Sequence, residues 1–222
     1  MAYTQAQTLV DTPTRHVTKR VNVANAESSA VFVNAASLSY ALTTLTLVVN
    51  SSSYAPFMVG EVVNSAAGGQ AVVQRVINTS TVILHTSNGT WTSTQNVIGL
   101  TSNVLRVQSG SLVPASYKLQ LSKLVFNIDG GTAANDGKVQ LEWEGTSGGA
   151  NNRTIAVLSR SGVLDLDALG LRSNNNANSA TGNIILTTVG WNANAHYTLI
   201  ADFAKSAGYA PPYLDQNPHL GY

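Results

Sequence analysis

The stretch KLQLSKLVFNIDGGTAANDGKVQLEWEG, residues 118–145, carries the clearest structural signal in the chain. Two strand-like runs flank a loop from Asp129 to Gly137 built of Gly, Asn, Asp, Ala and Thr. In the second run Val139, Leu141 and Trp143 alternate with Gln140, Glu142 and Glu144. A period of two places the first set on a core face and the carboxylates in solvent. The pattern predicts an antiparallel hairpin in the middle of an all-β domain.

The same logic extends outward. Before this stretch, Val17, Lys19, Val21 and Val23 alternate with Thr18, Arg20 and Asn22, a first strand after a polar segment that contains Pro13. After it, Asn183 to Val189 has a continuous apolar centre, as a strand deep in a sandwich requires. His196 to Phe203 closes the domain with Tyr197, Leu199, Ala201 and Phe203 inward. Between them, residues 53–103 change texture: four or five short apolar runs are separated by turn signals such as Gly68-Gly69 and Asn88-Gly89. That spacing describes a small closed barrel or β-roll.

The expected fold is therefore all-β: an antiparallel, jelly-roll-like β-sandwich with a small inserted β-barrel or β-roll and extended termini. Residues 1–14 are read as an N-terminal arm, 15–52 plus 104–205 as the discontinuous sandwich, 53–103 as the insertion and 206–222 as a C-terminal arm. The last of these holds three of the eight tyrosines, Tyr209, Tyr213 and Tyr222, among prolines and without periodicity. It reads either as an arm that docks on a neighbouring subunit or as a disordered tail.

Composition narrows the function classes. Only 10% of the 222 residues are charged and the net charge is +1, against roughly 25% charged residues in ordinary soluble domains. A surface of Ser, Thr, Asn, Ala and Gly offers little repulsion between copies, which suits a subunit of a large assembly. Nucleic acid is not an expected partner, because phosphate binding needs clustered Lys and Arg. The one basic cluster, residues 15–20, reads as the wet face of a strand. The absence of cysteine excludes disulfides, thiolate zinc sites and cysteine nucleophiles. No apolar run approaches the roughly 18 residues of a membrane span, and the first residues lack the pattern of a signal peptide.

No constellation of residues points to catalysis. Glu142 and Glu144 share a strand face at a spacing that glycosidases use, but they alternate with core residues and read as an outer face. Residues 129–136 offer the oxygen ligands of a calcium loop without the EF-hand spacing, and Asp and Asn equally favour plain turns. Asp165 and Asp167 read as an exposed edge. His16, His85, His196 and His219 lack ligand spacing, so neither a metal nor a cofactor is expected. Trp91 and Trp191 remain, with the three tail tyrosines, as candidate contact residues. A sugar-stacking jelly roll is the alternative use of the two tryptophans.

Several segments also resemble virion structural proteins of tailed phages, of the kind carried by marine and cyanobacterial phages. These are the opening MAYTQAQTLVDTPTR, SLSYAL at 37–42, KLVF at 123–126, VQLEWEGT at 139–146, TGNIILT at 181–187 and HYTLI at 196–200. Together they span roughly residues 1–48 and 118–205. The insertion, with Phe57-x-x-Gly60-Glu61-x-Val63, Gly89-x-Trp91 and Val97-x-Gly99, looks like a second phage module found in tail, baseplate and head-surface proteins. The resemblance implies a non-enzymatic virion subunit, a decoration or cement protein bound to the major capsid protein and to copies of itself. A neck, tail or baseplate position is the alternative that it leaves open.

Overall fold

The computed structural model describes residues 1–48, 56–131, 137–146, 151–170, 173–174 and 180–210. Two compact units divide the chain: unit 1 is Met1–Leu38 with Ser116–Ala207, and unit 2 is Ser39–Ala115 with Gly208–Tyr222. The chain starts in unit 1 with β1 (Tyr3–Asp11), β2 (Arg15–Val23) and β3 (Ala30–Val33). Unit 2 follows with β4 (Leu42–Thr46), β5 (Val62–Ser65), β6 (Gln70–Asn78), β7 (Thr81–Asn88), β8 (Asn96–Gly99), β9 (Leu105–Val107) and β10 (Val113–Pro114). Unit 1 is then completed by β11 (Lys118–Asp129), β12 (Lys138–Gly145), β13 (Arg153–Leu158), β14 (Ser161–Asp165), β15 (Ser173–Asn174), β16 (Ala180–Val189) and β17 (His196–Ala207).

Unit 1 is an antiparallel β-sandwich. One sheet runs β1-β2-β17-β11-β14, with β15 also on β11, and the other runs β13-β12-β16-β3. Val139, Leu141 and Trp143 are buried as their alternation requires, against Ile184 and Leu186 of β16. Leu119, Leu121, Leu124 and Ile128 line the facing sheet, a bulge near Ser122 shifting the parity halfway along β11. An edge-on contact between Phe32 and Phe203, centroids 6.5 Å apart, joins the layers.

The expected hairpin is corrected. β11 and β12 do not pair; they belong to opposite sheets. Both hydrogen-bonding edges of β11 are taken, by β17 and by β14 with β15, and those of β12 by β13 and β16. A period of two specifies which face is buried, not which strand lies alongside.

Residues 3–11 are not a loose arm but the edge strand β1, paired with β2 along its length. The basic cluster on β2, expected to be a wet face, is turned inward in part. The direct partners of Tyr197, Leu199, Ala201 and Phe203 are Asn22, Arg20, Thr18 and His16, so these polar side chains point inward. On β1 the same face continues as Thr4, Ala6, Thr8 and Asp11. The interior is thus apolar along β11 and β17 and turns polar across β2, beside which β1 is exposed at Thr4, Ala6 and Thr8. Most of these polar atoms find partners: Thr18 donates to the Gln7 carbonyl (3.2 Å), and the Asn22 amide donates to Thr4 (3.2 Å).

Unit 2 is wider than the segment 53–103 expected from the sequence. Its sheet runs β10-β4-β7-β6-β5-β8-β9 and so includes the strand at residues 42–46. The sheet curls until its ends meet: Leu47 bridges Gln108, Val48 N donates to Val107 O (2.8 Å), and Ser109 N to Thr46 O (2.7 Å). Leu45, Val63, Val73, Val82, Leu84 and Val97 fill its interior. Of the fixed positions of the inserted motif, Phe57, Val63 and Val97 lie in this core and Trp91 packs against it. The carboxylate of buried Glu61 accepts from Met58 N (2.5 Å), Thr101 N (3.2 Å), Ser102 N (3.0 Å) and Ser102 Oγ (3.0 Å). Gly99 is required beside it, since a Cβ there would stand 2.5 Å from a Glu61 oxygen.

Candidate functional site

The polar end of the unit 1 interior gathers the most unusual chemistry in the chain. His16 lies directly opposite Asp11 on one side and Phe203 on the other, and Lys205 follows two residues after Phe203 on the same face of β17. Lys205 Nζ donates to Asp11 Oδ1 at 2.5 Å, with the Lys205 side chain 0% and the Asp11 side chain 17% exposed. His16 Nδ1 sits 3.6 Å from the same oxygen, buried and without a hydrogen bond. Burial pulls the Lys205 ammonium below its ordinary value, against the hydrogen bond and charge of Asp11. Burial also lowers the His16 imidazole, against the attraction of Asp11.

A second buried network lies further along β2. Arg20 donates to Tyr197 Oη (3.0 Å), to the Val31 carbonyl (3.0 Å) and to Glu27, which also accepts from Tyr197. Burial works against the Arg20 charge, yet its bonds to Glu27 and Tyr197 outweigh it and hold the guanidinium above its usual value. Burial, then the hydrogen bond to Glu27, raises the Tyr197 phenol far above the ordinary range. Because Val31 lies on the opposite sheet, this network fastens the two layers. Arg15 grips Asp202 through Nε (2.9 Å) and Nη2 (2.6 Å) at the surface. The basic cluster is therefore largely engaged inside its own unit, and the expected wet face holds only for its outermost members.

The candidates drawn from the sequence are dispersed. Glu144 is not in open solvent: it accepts from Thr181 Oγ1 (2.7 Å) and Asn183 Nδ2 (2.8 Å), and the Asn183 oxygen accepts from Ala35 N (2.9 Å). Glu142 accepts from Gln140 (2.9 Å). Asp129 accepts from Gly131 N (2.9 Å), a plain Asx turn, while most of the loop that follows it lies outside the described residues. Asp165 pairs with Lys123 at 2.8 Å. Trp91 packs against the unit 2 core and donates to the Asn88 carbonyl (2.9 Å). Its indole lies where a Cβ on Gly69 would fall, so the ring needs that glycine. Trp191 meets Tyr197 edge-on at 5.7 Å. Both indoles are committed to contacts within the chain. Tyr209 is 8% exposed and its backbone bridges Ala41, so it joins the unit 2 fold instead of reaching outward. Tyr213 and Tyr222 lie outside the described residues.

Two exposed surfaces emerge in their place. β1 is exposed along seven of its nine residues, carries no Lys, Arg or Pro, and among the described residues pairs with β2 alone. On unit 2, the paired residues Ile98 and Leu105 form an exposed apolar strip with Leu100 and Val107, Leu105 being 53% exposed.

The Asp11–His16–Lys205 group escaped the reading of the sequence because Lys205 lies 194 residues from Asp11. The signal was present: the inward series Tyr197, Leu199, Ala201, Phe203, continued by two, lands on a lysine. The architecture defines an all-β protein with an antiparallel sandwich. No protein family, curated protein or solved structure matches the chain.

Proposed function

We propose that this protein is a structural, non-enzymatic subunit of a tailed-phage particle, seated on the head as a decoration or cement protein. The observation that carries the reading is β1, a nine-residue edge strand whose only charged residue is its last, Asp11, and whose outer hydrogen-bonding row has no strand beside it among the described residues. Soluble β proteins blunt such edges with Lys, Pro or short length, because an open row is a template for another chain. An edge left open is suited to pairing with a capsid neighbour or a second copy. The apolar strip on β8 and β9 provides a second contact, and the low charge keeps close packing free of repulsion.

Labelling purified particles with an antibody against the chain tests the proposal. The expected result is label spread over the head, with a copy number that scales with the capsid lattice. Label confined to the tail axis selects the neck, tail or baseplate position instead. A chain missing from every particle fraction overturns the proposal.

A further inference from the structure

We propose that Lys205 and Asp11 condense into an intramolecular isopeptide bond, which fastens the end of β1 to β17 across β2. The two groups are held in direct contact. Nζ is 2.5 Å from Oδ1, and with a C–O bond of about 1.2 Å the carbonyl carbon lies within about 3.7 Å of the nitrogen. Reacting atoms held near this separation gain the advantage of an intramolecular reaction. The Lys205 side chain is fully covered, so the product amide is shielded from the water that would hydrolyse it.

The step balances without an oxidant, a reductant or a cofactor. Nζ gives up one proton, and the neutral amine adds to Asp11 Cγ. As the C–N bond forms, nitrogen sheds a second proton. One carboxylate oxygen takes both protons and leaves as water, so an ammonium and a carboxylate become one amide and one water. The desolvation that lowers Lys205 makes the neutral amine accessible. Proton transfer falls to His16, whose unpartnered Nδ1 is 3.6 Å from Oδ1. It also lines a cleft of about 170 Å³ with Ala6, Thr8 and Phe32, an exit for the water.

Intact-mass measurement of the purified full chain decides the matter, and it needs no variant to fold. The expected mass is that of the sequence less one water. Trypsin is expected to leave Lys205 uncut and to release a branched species in which residues 1–15 are joined to residues 173–222. Lys205→Arg and Asp11→Ala are each expected to restore the full mass. His16→Gln is expected to slow closure about a hundredfold in newly made protein, the usual loss when a positioned proton carrier is removed. Wild-type protein at full mass, cleaved normally after Lys205, overturns the proposal. So does a water loss that maps within a single peptide. A His16→Gln chain that closes at the wild-type rate removes His16 from the step.

Discussion

Replacing Glu61 tests the account of unit 2 most directly. Its carboxylate accepts four hydrogen bonds, three of them from backbone N–H groups at Met58, Thr101 and Ser102. In Glu61→Ala those donors lose their partner at a residue only 4% exposed. Each buried donor left unpaired costs about 1–3 kcal/mol, reduced where water can reach the loop. The expected loss is therefore about 3–5 kcal/mol. In a domain of this size that lowers the melting temperature by roughly 15 °C or more. Glu61→Gln keeps one acceptor oxygen and turns an NH₂ group on the other donor pair, so about half the loss is expected. Hydrogen exchange resolved along the chain, measured through a urea series, reads the effect. Residues 58–108 should lose protection first, with the strands of unit 1 as the internal reference. A Glu61→Ala protein within about 1 kcal/mol of wild type would refute the claim that this carboxylate organises the curled sheet.

Three further outcomes follow from the same structure. His16 is held by burial below its ordinary value of 6.5, so below that pH the unfolded chain binds the extra proton first. Stability is then full above pH 6.5 and falls as pH drops, with a slope approaching about 1.4 kcal/mol per pH unit, and His16→Phe should flatten that part of a urea-midpoint profile. Tyr197 is raised above its ordinary 10.0 by burial and then by Glu27; its contribution is present below pH 10 and lost as pH rises beyond it, a limb that Tyr197→Phe should remove from an alkaline titration followed by circular dichroism. Leu105→Lys places a charge on the exposed strip of unit 2 and should leave the unfolding free energy within about 0.5 kcal/mol of wild type. The same variant should weaken binding to purified particles at least tenfold in co-sedimentation.

Much of the fold was legible because the pattern that predicts burial is the pattern that produces it. Val139, Leu141 and Trp143, and Tyr197 to Phe203, are inward as the period of two requires. What failed was partner choice. Residues 118–145 read equally well as a hairpin and as two strands of opposite sheets, because side-chain alternation is silent about hydrogen-bonding edges. β2 failed for another reason. Its inward residues His16, Thr18, Arg20 and Asn22 are polar, and their burial depends on partners at Asp11, Gln7, Glu27 and Thr4 that no local window brings together. In unit 2 the motif positions were visible as a pattern, but their meaning as a carboxylate clasp and glycine close approaches needed coordinates. The contact residues chosen for their aromatic rings lie inside the units where described, since a large ring is as useful to a core edge as to an interface.

The order of strands in unit 1 also sets a timetable. β2 lies between β1 and β17, and Arg15 finds its ion-pair partner 187 residues later, at Asp202. A nascent chain emerging from the ribosome can therefore close the sheet of unit 2 once residue 115 is free, whereas β1 and β2 must wait until nearly the whole polypeptide has been made. During that interval the β2 edge that β17 will cover is available to any neighbouring strand. Synthesis rate and local crowding on the polysome then decide how much of the product folds on itself and how much is captured by another chain.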